Sequence, residues 1–275
     1  MANNEIQTVE HKQKHDTSKA RMAAVELMQG LTPQERGVEK RLEVLEWVYR
    51  WGWSSAQVIH EWLGLQRRGF ATRLEKQGFL QSHVMPYAGG VKGVPDRIFT
   101  LTELGVNEIE ARHPPRYIEA YRVNLNQQQV RHDLIVQRLA VLGLHGSAAD
   151  YSHCYTPAEM SLALGLEDTD KRPDLVLLDD QTGILTAVEL ELSRKKGREW
   201  DQTRIRIAKA LNEKKVHTFL IVSNSDAILE QYRRQLRNGV KVQHWTKNAA
   251  RQWVDLPNDT VTLQGIHLTT QKVSL

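Results

Sequence analysis

The chain has 275 residues, 40% hydrophobic and 25% charged, which suits a globule of two ordinary domains and excludes a disordered polymer. Its 37 Lys and Arg against 33 Asp and Glu leave a net charge of only +4, so affinity for a polyanion must come from where charge is placed rather than from its sum. The one cysteine, Cys154, excludes an intrachain disulfide and a zinc ribbon and fits a reducing compartment.

The first 29 residues mix basic and acidic side chains without an apolar run, so a flexible arm is expected, with a short helix near Ala20–Met28. No window approaches the roughly 20 apolar residues of a membrane span. Even LIVQRLAVLGL is broken by Gln137 and Arg138. The expectation is a soluble, cytoplasmic protein.

From residue 34 the pattern becomes regular. Val38, Leu42, Leu45 and Tyr49 mark one face of a helix that breaks at Trp51-Gly-Trp53. Ser54 or Ser55 can cap a second helix, with Val58, Ile59, Trp62 and Leu63 inward and Gly64 as its stop. A third helix is expected over about Gln66–Gln77, then a strand in FLQSHVMPY, a glycine-rich turn, and a second strand in RIFTL. Thr102 is placed to cap a last helix that halts before Pro114-Pro115. Three helices followed by a hairpin resemble a winged helix-turn-helix DNA-binding domain, and RIFTLTELG is similar to the strand and helix that close many of them. The corresponding domain spans residues 30–115.

Residues 116–126 read as a connector. After it come a helix over 127–143, a strand near Ala149–Tyr155, a hairpin within RPDLVLLDDQTGILTAVELELS, a helix at 198–213, the strand HTFLIVSN, a helix at 226–237, the strand VKVQHW and a short helix at 246–253. Alternating helices and strands predict an α/β domain with a mixed sheet over residues 116–275.

Carboxylates interrupt that hairpin. Strand alternation sets Glu189 and Glu191 on one face and Val188, Leu190 and Leu192 on the other. A turn between Asp179 and Ile184 puts Val176 opposite Ala187 and Asp174 opposite Glu189. Three carboxylates that close repel unless a cation lies among them, and a hard divalent ion such as Mg²⁺ suits oxygen donors. The plain alternative is an edge strand whose charged face is solvated.

Asp174, Glu189-Leu190-Glu191 and the trailing SRKK resemble the signature of the PD-(D/E)xK nuclease superfamily, the restriction-endonuclease-like fold. The resemblance implies that Asp174 and Glu189 are ligands of Mg²⁺ or Mn²⁺, and Glu191, on the same strand face, is expected as a third carboxylate ligand. It departs at position 191, where the pattern's lysine is Glu; Lys195, Lys196 and Lys209 are the candidates to replace it. The same resemblance draws His132 and Asp133 into the site from the preceding helix, with Gln202 a secondary candidate. A winged helix joined to such a core, with HD on the linking helix and VELELS on the strand, is similar to the MobC-type plasmid relaxases and the related replication-relaxation proteins. These bind a plasmid transfer or replication origin as double-stranded DNA, nick one strand, and work alongside other mobilisation or replication proteins.

Basic charge is clustered. Arg67, Arg68, Arg73, Lys76, Lys92 and Arg97 face only Glu75 and Asp96 between Gly64 and Arg97, where a recognition helix and wing would meet DNA. Nine basic residues, Arg198 among them, face three acids between Leu192 and Lys215, on a helix expected to turn Trp200, Thr203, Ile207 and Leu211 inward. No nucleotide-binding P-loop, no H-E-x-x-H and no His-apolar-His pair occurs. Tyr117, Tyr121, Tyr151 and Tyr155 are spaced like core residues. The sequence therefore predicts an α+β or α/β chain acting as a metal-dependent DNA nickase. The alternative is a non-catalytic DNA-binding regulator with a degenerate nuclease-like domain, and Glu191 favours it.

Overall fold

A computed structural model describes residues 30–65, 69–85, 93–114, 127–145, 151–166 and 172–274. The N-terminal arm, the predicted boundary near residue 115, Arg67, Arg68, Lys92, Tyr117 and Tyr121 lie outside them. The described chain is a mixed α+β fold.

Helix α1, Pro33–Trp51, begins where Thr32 and Glu35 satisfy each other's backbone amides in a capping box and Pro33 presets the first turn. It buries Val44, Leu45, Val48 and Tyr49 and stops at Gly52, whose positive φ of 76° costs a residue without a Cβ little. Ser55 caps α2, Ala56–Trp62, through the Val58 amide, and α3 follows at Phe70–Lys76. Strands β1, Leu80–Val84, and β2, Arg97–Leu101, pair antiparallel with Leu80 opposite Leu101. A bridge from Ser54 to Phe99 adds a short third segment to this pair. Thr102 caps α4, Glu103–Glu110, as its position after β2 predicts. A side chain at Gly105 would meet the Phe79 carbonyl at 2.3 Å, so this helix can close on the hairpin only with glycine there.

Helix α5, Gln127–His145, leads to β3, His153–Tyr155, a short α6, Met160–Leu164, and the hairpin of β4, Leu175–Asp179, with β5, Ile184–Leu190. The predicted turn and the opposition of Val176 to Ala187 both hold. Then come α7, Gly197–Asn212, β6, Thr218–Ser223, α8, Asp226–Gln235, β7, Lys241–Lys247, β8, Trp253–Thr262, and β9, Leu268–Lys272. The main sheet runs β3-β4-β5-β6-β9, antiparallel up to β5 and parallel beyond it.

The predicted helix at 246–253 is not formed. β7 continues to Lys247, and the Asn248 side chain accepts the Gln252 amide at 2.9 Å while Arg251 takes a φ of 59°, which turns the chain into β8. A local side-chain bond of this kind offers the backbone an alternative to a helix. Among the described residues β7 and β8 pair only with each other, and β9 adds parallel to β6.

The sheet lies between helices. Leu175, Leu177, Val188 and Leu190 share a buried cluster with Val130, Leu134 and Val141 of α5. Val176, Ala187, Phe219 and Ile221 pack on the other side with Trp200, Ile207 and Leu211 of α7 and Ile228 and Tyr232 of α8. The first cluster runs on without a break into Trp47, Trp53 and Val58. A fully buried polar relay fastens that junction. Trp47 Nε1 donates to Ser54 Oγ at 3.2 Å, Ser54 Oγ donates to Gln137 Oε1 at 2.7 Å, and Gln137 Nε2 donates to the Trp53 carbonyl at 3.0 Å. The Arg50 side chain adds an ion pair with Glu159 at 2.8 Å and a bond to the Cys154 carbonyl. Burial and the Glu159 carboxylate push the Cys154 thiol above its ordinary range, although the Arg50 charge opposes them, so this cysteine is a core residue rather than a nucleophile. Among the described residues no helix is long and apolar enough to cross a membrane.

Candidate active site

β5 lies in the middle of the sheet, and Glu189 and Glu191 are 2% and 4% exposed, so the solvated-edge alternative does not describe them. Ionised carboxylates this deep need partners that repay their lost hydration. Four elements meet at the C-terminal end of β5, and for Glu191 they supply such partners.

Asp174 stands across from Glu189 and brackets it. Its amide donates to the Val188 carbonyl at 3.0 Å, and its Oδ2 accepts the Leu190 amide at 2.8 Å. A side-chain oxygen thus completes the pairing just where the β4–β5 ladder ends. His132 of α5 reaches the same oxygen: its Nε2 lies 3.3 Å from Asp174 Oδ2 and 3.3 Å from the Leu190 carbonyl, and its Nδ1 lies 3.3 Å from Asp133 Oδ1. Burial disfavours the charged ring, but the hydrogen bonds and charges of Asp133 and Asp174 outweigh it and raise the His132 pKa to about 10. The imidazole is therefore a cation at neutral pH.

Glu191 turns to other partners. Its Oε1 accepts a hydrogen bond from the Tyr232 hydroxyl at 2.7 Å and an ion pair from Lys195. Burial, then the charge and hydrogen bond of Glu191, then the charges of Glu189 and Asp174, push the Tyr232 phenol far above its ordinary range. The three carboxylates therefore act on one locus, but not as three arms around one point. Among the described residues no three His, Cys, Asp or Glu side chains form a group able to hold a metal ion. Instead Asp174 is joined to His132, and Glu191 to Lys195 and Tyr232.

The predicted residues separate accordingly. His132, Asp133, Asp174, Glu189, Glu191 and Lys195 come together. Lys196 is exposed at the start of α7, and Lys209 pairs with Glu213 one turn on. Gln202 is half-buried on α7, whose inner stripe is Trp200, Thr203, Ile207 and Leu211 as predicted. Tyr155 rests edge-on against His153 at 4.8 Å and, like Tyr151, packs against the buried clusters.

Two residues that sequence reasoning missed hold the site. Tyr232 anchors Glu191. Gln231 latches the loop that carries Lys195, donating to the Lys195 carbonyl at 3.0 Å and accepting from Arg194 Nε at 3.1 Å. The only signal for either is a polar pair on the apolar side of α8.

Of the predicted DNA contacts, Arg73, Lys76 and Arg97 are exposed, and the Arg73 guanidinium rests over the Phe70 ring at 4.4 Å. Arg198 is exposed and lies 5.1 Å from the Trp253 ring, which Lys247 also approaches at 5.2 Å. α5 connects the two regions. Arg131 packs near Gly93 at the foot of the β1–β2 connection, 3.6 Å from where a Cβ there would stand, while the next residue is His132.

No family model, curated protein or solved structure matches the chain.

Proposed function

We propose that this protein is a metal-dependent DNA nickase of the relaxase type, with a winged-helix unit that binds an origin and a restriction-endonuclease-like unit that cuts one strand. The observation that carries the reading is the setting of Asp174 against Glu189 at the end of a central strand, with Lys195 folded back onto Glu191.

Asp174, Glu189 and the Leu190 carbonyl are hard oxygen donors of the kind that suits Mg²⁺ or Mn²⁺. Such an ion supplies positive charge that polarises a scissile phosphate and acidifies a water. Lys195 folds its ammonium back onto Glu191, where it would offset negative charge as it develops on phosphate. Glu191 and Tyr232 fix that ammonium rather than binding the ion themselves. His132, a cation held between Asp133 and Asp174, orients the Asp174 carboxylate. The helical order of α1 to α3, the β1–β2 pair with its Ser54 bridge, and the exposed Arg73, Lys76 and Arg97 support the winged-helix half.

The test is incubation of the protein with supercoiled origin plasmid and Mn²⁺. Open-circle product is expected from the wild type and not from Asp174→Ala or Glu189→Ala. Linear product would indicate a double-strand cutter. A second reading, a DNA-binding regulator without catalysis, is favoured by the occupation of Glu191 and Asp174 by Lys195 and His132. Binding without relaxation in any metal would establish it.

A further inference from the structure

A cavity of about 320 Å³ opens directly beside Asp174, where the end of α1 meets α5 and the segment leading into β4. That volume is at the small end of the ~300–1,000 Å³ of ligand sites, room for one ring system and its sugar rather than for a helix or a peptide. Trp51, Val136, Pro157 and Pro173 give it apolar walls. The Trp51 ring packs against that of Trp47, with centroids 5.5 Å apart and 36° between the planes.

The polar lining mixes donors and acceptors and carries no surplus of positive charge from its arginines. Asp133 and Asp174 face His132 and Arg172, and the Arg50 charge is already matched by Glu159. A phosphate pocket would carry surplus positive charge. A mixed set of donors and acceptors around apolar walls suits a neutral heteroaromatic ring with polar edges. Because Asp174 belongs both to this cavity and to the candidate site, a ring seated here would place its attached phosphate close to the carboxylates.

We infer that this cavity is a nucleobase pocket, taking a base turned out of the DNA strand next to the phosphate to be cut. The inference deepens the nickase reading and rests on it for the source of the base. A free nucleoside shares the same chemistry, so both sources are tested. Extruding a base costs least in single-stranded DNA, and stacking on an aromatic side chain offsets that cost.

The experiment uses the full chain in EDTA, which prevents cutting, with two probes: a single-stranded oligonucleotide carrying one internal 2-aminopurine, and free 2-aminopurine riboside. Two variants plug the cavity from different elements. Ala158→Trp adds bulk at an exposed lining position, and Gln129→Trp does so from the first turn of α5. The wild type is expected to quench the oligonucleotide severalfold. Both variants should lose that quench, and their Kd for the strand by anisotropy should rise about tenfold, as loss of one stacked base predicts. Quenching of the riboside alone, again lost in both variants, would keep the pocket and make its ligand a free nucleoside. A wild type that quenches neither probe, or variants that quench like the wild type, would overturn the inference. Plasmid nicking separates the two claims: quenching without nicking removes the nickase and leaves the pocket, whereas nicking without quenching removes the pocket alone.

Discussion

Lys195 is ion-paired to Glu191 four residues before it, although no helix joins them: Glu191 follows the last residue of β5 and Lys195 lies in the loop before α7. The loop turns back because Gln231 holds the Lys195 carbonyl and Tyr232 holds Glu191 from the same helix. Position 191, where the nuclease signature that the sequence resembles has a lysine, thus carries a carboxylate that receives one from position 195.

Replacing Lys195 by Ala should therefore slow plasmid nicking by about 10²-fold, the usual scale for losing one electrostatic stabiliser, while leaving DNA affinity nearly unchanged. The double variant Glu191→Lys/Lys195→Ala should recover part of the rate, since it moves the ammonium to the end of the strand. Initial rates of open-circle formation and anisotropy on the same variants check both statements.

The buried relay at the junction of α1, α2 and α5 should be felt in stability. Gln137→Ala leaves Ser54 and the Trp53 carbonyl without their partner, in a region where Gln137 and Ser54 are both 0% exposed. Each buried polar group so orphaned costs about 1–3 kcal/mol. Urea unfolding should show a lower midpoint with an unchanged slope.

His132 should make stability pH-dependent. Its folded pKa of about 10 lies above the unfolded value of about 6.5, so the stabilisation is full below about pH 6.5 and is lost as pH rises through 10. The difference in urea midpoint between wild type and His132→Gln should shrink steadily from pH 6.5 upward and vanish above pH 10. A proton NMR titration of the His132 ring gives the folded value directly.

Arg73 and Lys76 project from α3 into solvent, and no ion pair holds either among the described residues. If α3 lies against DNA, each Ala substitution should weaken binding on any sequence and lower the slope of log K against log salt by about 0.9. Unchanged slopes would take α3 out of the interface.

Much of this was legible in local pattern. The polar DDQTG turn between two apolar runs suggested the register of β4 and β5, with Val176 opposite Ala187; because both faces of these strands are apolar, what a one-residue slip would disturb is the opposition of Asp174 to Glu189. Thr102 after RIFTL announced its helix because an exposed amide needs a nearby hydroxyl. The site's remaining parts depend on long-range partners that no local pattern encodes. Arg50 and Glu159 are 109 residues apart, Tyr232 and Glu191 are 41 apart, and β9 reaches β6 across the whole β7–β8 hairpin. Residues 246–253 misled because their polar composition suits a helix, and only the Asn248–Gln252 bond shows that the backbone turns.

The central claim is that Asp174 and Glu189 together bind a divalent ion, and calorimetric titration of the metal-free protein with Mn²⁺ tests it most directly. The account predicts binding that weakens at least tenfold in Asp174→Asn and in Glu189→Gln while both variants keep the wild-type circular dichroism spectrum. Mn²⁺ bound equally well by all three proteins, or by none of them, would contradict it.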